Sequence, residues 1–104
     1  MGAAVLTASG RIFGGCNIEN ASYGMTLCAE RAAVASAVAA GHQTLVAVAI
    51  VTENLSSPCG ACRQFLSEFN PAMTVILADV HGKRKVHKLR DLLPESFGPK
   101  NLKD

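Results

Sequence analysis

The order of structural elements is decided by residues 28–62, CAERAAVASAVAAGHQTLVAVAIVTENLSSPCGAC. The stretch Cys28–Ala40 is rich in alanine and contains neither glycine nor proline, which predicts a helix. Thr26 is the expected N-cap of this helix and Gly41 its C-terminal stop. Thr44–Thr52 is almost continuously apolar, as is typical of a strand that is buried on both faces.

The rest of the chain extends this helix and strand in both directions. Pro58 is expected in the first turn of a second helix that runs to about Asn70. The other predicted elements are a hairpin of Ala3–Thr7 and Arg11–Ile18, a buried strand at Thr74–Ala78, a short edge strand at Arg84–Lys88 and a short helix at Leu89–Leu93. The order β-β-α-β-α-β predicts an α/β fold, with a sheet covered by helices on at least one face.

Length and composition limit the classes of function. The 104 residues are expected to form one domain, residues 1–104. The net charge of +2 does not indicate a nucleic-acid partner, and no apolar run is long enough to cross a membrane. No secretory signal is visible at the N-terminus. Four cysteines without an export signal favour metal binding over disulfides, and we expect a cytoplasmic protein.

Three cysteines have the arrangement of a catalytic metal site. Cys59 and Cys62 stand three positions apart at the start of a predicted helix, so their side chains share a face. Cys28 stands at the start of the other long helix. Free backbone N–H groups and the helix dipole favour thiolates over thiols at both places. Three thiolates can bind one Zn²⁺ and leave its fourth position open, whereas structural zinc sites are closed.

Glu30 and Arg31 follow the first of these cysteines. A carboxylate two residues from a zinc ligand is placed to move protons on a water at the open position. Residues i and i+2 lie about 200° apart on a regular helix, so Cys28 and Glu30 can face one metal only if Cys28 is not yet helical. Arg31 is expected to donate hydrogen bonds to thiolate sulfur, which offsets the negative charge of three thiolates.

Two other interpretations of the cysteines stay open. Cys16 could close a four-cysteine structural site, although it falls in a predicted strand, where we expect it to pack as a small apolar side chain. Alternatively, Cys59 and Cys62 could be a redox dithiol, which would leave Cys28 and Glu30 unexplained.

Four motifs carry a resemblance to a known family. They are Asn17-Ile18-Glu19-Asn20-Ala21-Ser22-Tyr23, Cys28-Ala29-Glu30-Arg31, Pro58-Cys59-Gly60-Ala61-Cys62-Arg63-Gln64 and Leu92-Leu93-Pro94-Glu95-Ser96-Phe97-Gly98-Pro99. With these motifs, nearly the whole chain resembles the small, homotetrameric, zinc-dependent cytidine deaminases. The resemblance implies a layered α/β fold with a mixed sheet of about five strands and one Zn²⁺ per chain. It also implies hydrolytic deamination of cytidine and deoxycytidine, with release of ammonia, in pyrimidine salvage.

The resemblance also implies a role for each matching residue. Cys28, Cys59 and Cys62 would bind the zinc ion, and Glu30 would carry protons to the ring nitrogen and to the departing ammonia. The implied substrate contacts are Asn17 and Glu19 at the ribose hydroxyls, Ala29, and three residues that complete the site of a neighbouring subunit, Ala21, Tyr23 and Phe97. We therefore expect a homotetramer with shared active sites.

The chain departs from the family pattern at its N-terminus. The family's N-terminal helix and first substrate-contacting Phe have no counterpart before Gly2–Leu6, which implies apolar surface on one face of the sheet. Two alternatives to the cytidine deaminase interpretation stay open. One is a deaminase of another cytosine-bearing compound, such as a nucleoside antibiotic, and the other is a non-catalytic, zinc-stabilised assembly module.

The remaining polar features indicate ordinary surface. His42, His81 and His87 lack zinc-ligand spacing to the cysteines, and we expect all three at the surface. The basic segment Lys83–Lys88 is expected to be an edge strand that resists aggregation. A nucleic-acid contact is disfavoured there because no aromatic residues are interleaved with the charges.

Overall fold

A mixed five-stranded sheet forms the centre of the molecule. The computed structural model describes residues 1–22 and 26–102, apart from the side chain of Lys100. The elements are β1 (Gly2–Thr7), β2 (Ile12–Cys16), α1 (Ala29–Ala39), β3 (Leu45–Val51), α2 (Gly60–Phe69), β4 (Thr74–Ala78), β5 (Arg84–Lys88) and α3 (Leu89–Leu92), with a 3-10 turn at Pro99–Leu102. The strand order is β2-β1-β3-β4-β5. β3 and β4 pair in parallel and the other neighbours antiparallel, which confirms the predicted α/β fold.

Both long helices pack against the same face of the sheet. Alternate residues of the central strands point into this core, as the two-residue period of a strand requires. The fully or almost fully buried members include Val5, Val48, Ile50, Val75 and Leu77 from the strands, Ala33, Val34 and Ala37 from α1, and Leu66 from α2. Burial of these side chains supplies the main stabilising term for the fold.

The strand pairing brings the starts of both helices to one edge of the sheet. Gly2 of β1 pairs with Cys16 of β2 on one side and with Val51 of β3 on the other. The C-terminal ends of β2 and β3 therefore lie at the same edge. α1 begins against the end of β2, since a Cβ atom at Gly15 would lie 2.8 Å from the carbonyl oxygen of Ala29. α2 begins at Gly60, nine residues after the end of β3 at Val51.

The opposite face of the sheet is open in the single chain. Our prediction that the strand around Val48 is buried on both faces is wrong, because Val46 and Val51 are 38% and 40% exposed. Neighbouring strands carry apolar residues on the same open face, including Ile12 at 70% and Val86 at 65% exposure. The apolar surface that the resemblance implied is therefore present, because α1 and α2 both lie on the other side.

Two predicted helix starts are also wrong. The N-cap of α1 is Cys28 and not Thr26, because Leu27 is still extended in an isolated β-bridge with Ile18. Pro58 lies outside α2, whose N-cap is Cys59. The carbonyl oxygen of Pro58 accepts a hydrogen bond from Nε of Arg63. Within the described part of the chain, no helix has the length and apolar character needed to span a membrane.

Gly15 sets the distance between β2 and α1. A Cβ atom at this position would lie 2.5 Å from the backbone nitrogen of Ala33 and 2.8 Å from the carbonyl oxygen of Ala29. We expect Gly15→Ala to push α1 away from the sheet and to lower the free energy of unfolding by about 1–3 kcal/mol. Gly14→Ala is the matched control, because its Cβ would meet only the carbonyl oxygen of Ala3, at 3.8 Å. Denaturant unfolding of both variants tests this, and equal stabilities would contradict it.

Candidate functional site

Three cysteine sulfurs meet at the edge of the sheet where the two long helices begin. The Sγ atoms of Cys28, Cys59 and Cys62 all lie within 4.8 Å of one another. Cys62 is fully buried, Cys28 is half-buried and Cys59 is exposed. Three sulfurs bound to one tetrahedral zinc ion at about 2.3 Å would stand roughly 3.8 Å apart. The cluster therefore fits a metal ion after a small inward movement of its side chains.

The extended backbone of Cys28 places Glu30 beside the cluster. Cys28 has φ −74° and ψ 151°, so it precedes the first helical residue, which is the condition for Cys28 and Glu30 to face one point. The Glu30 side chain is only 2% exposed. Its Oε1 atom has no hydrogen-bond partner among the described residues. A buried, unpaired carboxylate oxygen is costly, which indicates that the site is built for a further polar group.

The environment affects the cysteine thiols unequally. Burial raises the pKa of Cys62, and the neighbouring Cys28 thiol and Glu30 carboxylate raise it further. At Cys59, by contrast, the backbone N–H of Cys62 lowers the pKa because it stabilises the thiolate at the start of α2. Zinc binds thiolates, so metal uptake must displace the proton of Cys62.

Arg31 lies against the sulfur of Cys28. One guanidinium nitrogen donates both to Cys28 Sγ, at 3.5 Å, and to the carbonyl oxygen of Thr26, at 3.3 Å. The hydrogen bond to Cys28 raises the pKa of Arg31, and the three cysteines add a favourable electrostatic effect. The positive charge thus lies next to the sulfurs whose negative charge it can offset.

Asn17 and Glu19 lie on a segment that pairs with the segment leading to Cys28. Nδ2 of Asn17 donates a hydrogen bond of 2.7 Å to Oε1 of Glu19. Between them, Ile18 pairs in an antiparallel bridge with Leu27, the residue before Cys28. Asn17 and Glu19 therefore lie on either side of Ile18, whose backbone is bonded to the residue before Cys28.

The remaining predicted site residues differ in their exposure. Ala29 is fully buried in the first turn of α1, Ala21 is exposed, and Phe97 is 59% exposed, with its carbonyl oxygen bonded to Nε2 of Gln64 at 2.8 Å. Tyr23 lies outside the described residues. The expectation that Cys16 packs as a small apolar side chain is wrong, since it is exposed at the end of β2. It is not one of the three clustered cysteines.

Arg63 supports the segment before Cys59, a role that was not predicted from the sequence. Its Nε donates to the carbonyl oxygen of Pro58, one guanidinium nitrogen donates to the carbonyl oxygen of Leu92, and the other donates to Oγ of Ser57, each at 2.8 Å. The side chain thus joins the residues before Cys59 to the segment that leads to Phe97. Nothing in a single sequence distinguishes this arginine from a solvated one.

Comparison with known proteins identifies the family. The sequence model of the cytidine and deoxycytidylate deaminase zinc-binding region matches residues 1–78, which include all three clustered cysteines and Glu30. The chain belongs to this deaminase family. Within it, the chain is 46% identical to a cytidine deaminase from Sporosarcina psychrophila, an alignment that covers 98% of this chain and 77% of that one.

Solved structures of cytidine deaminases share the fold. A cytidine deaminase from Burkholderia pseudomallei superposes with a TM-score of 0.86 at 46% identity, over 92% of this chain and 80% of that one. A mutant cytidine deaminase from Mycobacterium tuberculosis superposes with a TM-score of 0.83 at 40% identity, over 97% and 79% of the two chains. The family is defined by a zinc-binding region, and the three sulfurs of this chain are positioned to bind that ion.

Proposed function

We propose that this chain is a zinc-dependent hydrolase that converts cytidine and deoxycytidine to uridine and deoxyuridine, with release of ammonia, as in pyrimidine salvage. The observation that carries the proposal is the buried Glu30 carboxylate, with one unpaired oxygen, beside three sulfurs within 4.8 Å of one another. Neither a redox dithiol nor a closed structural site has a use for that carboxylate. Family membership supports the same reaction class.

Cys28, Cys59 and Cys62 would hold one zinc ion per chain. Three protein ligands leave a fourth position free, which distinguishes catalytic from structural zinc sites. When bound, Zn²⁺ supplies Lewis-acid activation of water, whose pKa it lowers towards about 7. Arg31 keeps part of that acidity, because its hydrogen bond to Cys28 reduces the negative charge on sulfur.

Glu30 moves the protons in this proposal. Its carboxylate takes a proton from the attacking water as the water oxygen bonds to C4 of the cytosine ring, and it delivers that proton to N3. It then transfers the remaining hydroxyl proton to the amino nitrogen. The bond from C4 to this nitrogen breaks, and ammonia leaves with uridine as the second product.

Asn17 and Glu19 would bind the sugar. A carboxylate accepts hydrogen bonds and an amide both donates and accepts, so the pair can satisfy two adjacent hydroxyls. Their mutual hydrogen bond holds both side chains beside the segment that leads to Cys28. Ala29, buried in the first turn of α1, is a further proposed substrate contact.

Self-association in a homotetramer with shared active sites belongs to the proposal. Ala21, Tyr23 and Phe97 are proposed to reach the substrate of a neighbouring subunit in a homotetramer. Phe97 is 59% exposed, as an aromatic residue that packs on another chain would be when seen alone. A cytoplasmic location suits the chain, because the sulfur cluster needs reduced thiols.

A substrate panel tests this proposal against its alternatives. Zinc-loaded protein should convert cytidine and deoxycytidine to the uracil nucleosides, followed by the absorbance change, and should turn over free cytosine far more slowly because the base lacks the sugar. Turnover confined to another cytosine-bearing compound would assign a different substrate. Size measurement in solution should give a tetramer, and an active monomer would remove the shared-site part of the proposal.

A further inference from the structure

The segment that contains Asn17 and Glu19 is hydrogen-bonded to the segment that leads to Cys28. The amide nitrogens of Ile18 and Leu27 donate to each other's carbonyl oxygens at 2.8 and 2.9 Å. In the antiparallel register of this bridge, Asn17 stands opposite Cys28 and Glu19 opposite Thr26. One backbone bridge at Ile18 does not by itself fix the chain direction after Glu19. A second contact beyond Glu19 is needed to fix the position of this residue.

The hydroxyl of Thr26 provides that second contact, through hydrogen bonds to Asn20. Its Oγ1 accepts a hydrogen bond from the amide nitrogen of Asn20, at 3.2 Å, and donates one to the carbonyl oxygen of the same residue, at 3.3 Å. Both backbone groups of Asn20 are thus held by one oxygen atom. Only a hydroxyl can both accept and donate in this way, so the contact depends on chemistry and not on side-chain shape.

Thr26 is also bonded to the metal side of the site. Its carbonyl oxygen accepts a hydrogen bond from Arg31, and the same guanidinium nitrogen donates to Cys28 Sγ. Thr26 therefore bonds to Asn20, next to Glu19, through its side chain, and its backbone is linked to the cysteine cluster through Arg31.

We propose that Thr26 is a positioning residue that sets the sugar-binding pair Asn17 and Glu19 at the correct distance from the cysteine cluster. It thereby confers preference for nucleosides with ribose hydroxyls over those without them. This proposal rests on the deaminase function proposed above. Thr26 touches no substrate in it, and its effect is transmitted through Asn20, which directly follows Glu19.

Thr26→Val is the decisive variant, because valine has the shape and β-branching of threonine but lacks the hydroxyl. Asn20 is exposed, so water can satisfy its freed backbone groups, and folding and zinc content should be unchanged. Loss of two hydrogen bonds should raise KM for cytidine about tenfold with little change in kcat. Thr26→Ser keeps the hydroxyl and should restore the wild-type KM.

The sugar dependence separates positioning from general damage. For 2′,3′-dideoxycytidine, which lacks both hydroxyls, kcat/KM of Thr26→Val should equal that of the wild type. The preference for cytidine over the dideoxynucleoside should therefore fall about tenfold, by the same loss of two hydrogen bonds. Zinc content by atomic emission and the melting temperature serve as readouts that do not depend on activity.

Four results would overturn the proposal. An equal loss of kcat/KM on both nucleosides, or a loss of zinc, would make Thr26 merely structural. The same defect in Thr26→Ser and Thr26→Val would show that the hydroxyl is not the cause. A wild-type protein that turns over neither cytidine nor deoxycytidine would refute the proposed function and this inference with it. The wild-type assay is done first, so this failure is distinguished from a failure of the Thr26 proposal alone.

Discussion

Replacement of Glu30 by glutamine should lower kcat for cytidine by roughly 10²–10⁴-fold, the usual contribution of a general acid–base group. Glutamine has the size of glutamate, so it fills the same buried space. It cannot accept the proton of the attacking water or pass it to the ring nitrogen, so both proton transfers are lost. Zinc content should stay at that of the wild type, because the metal is held by the three cysteines.

The control for this variant is Glu68→Gln, the same chemical change at an exposed position on α2. It should leave both kcat and zinc content unchanged. Single-turnover measurements on cytidine, with metal analysis of the same samples, test the pair. Loss of zinc from Glu30→Gln would make Glu30 a ligand, and wild-type kcat in that variant would show that another group moves the protons.

Replacement of Cys62 by alanine should abolish zinc binding and reduce activity to background. Its sulfur is fully buried, so neither water nor another cysteine can easily take its place. Two thiolates would remain, and loss of one ligand from a three-ligand site removes much of the binding free energy. Because metal binding contributes to folding free energy, the melting temperature should also fall.

Cys16→Ala is the matched control, since Cys16 is the fourth cysteine and lies exposed at the end of β2. It should keep one zinc ion per chain and full activity. The comparison also tests the closed four-cysteine site, in which Cys16 would be a ligand. Zinc loss in Cys16→Ala would support that site, and retention of zinc in Cys62→Ala would contradict the three-cysteine site.

The sequence was sufficient to predict the chemical centre. The spacing of Cys59 and Cys62 at a helix start, with Cys28 at another, predicted three sulfurs at one point, and the structure brings them together. Helix geometry alone required Cys28 to precede the first helical residue if it was to face the same metal as Glu30. The extended backbone of Cys28 meets this requirement. Local patterns suffice here because each ligand is placed by the start of its own helix.

Features that depend on distant contacts could not be predicted in this way. The apolar sequence around Val48 is compatible with a strand covered on one face or on both. Val46 and Val51 are exposed because both helices lie on one side of the sheet. Thr26 carries a strong N-cap signal, but the bridge between Ile18 and Leu27 delays the helix and leaves its hydroxyl for Asn20. Tertiary pairing outweighs local preference in both cases.

The most direct test of the account is the stoichiometry of ammonia and uridine formed from cytidine by the full chain, before and after zinc removal. The account predicts one ammonia for each uridine, loss of both when a chelator removes the zinc, and recovery of both when zinc is restored. Zinc-loaded, assembled protein that releases no ammonia from cytidine or deoxycytidine would contradict it.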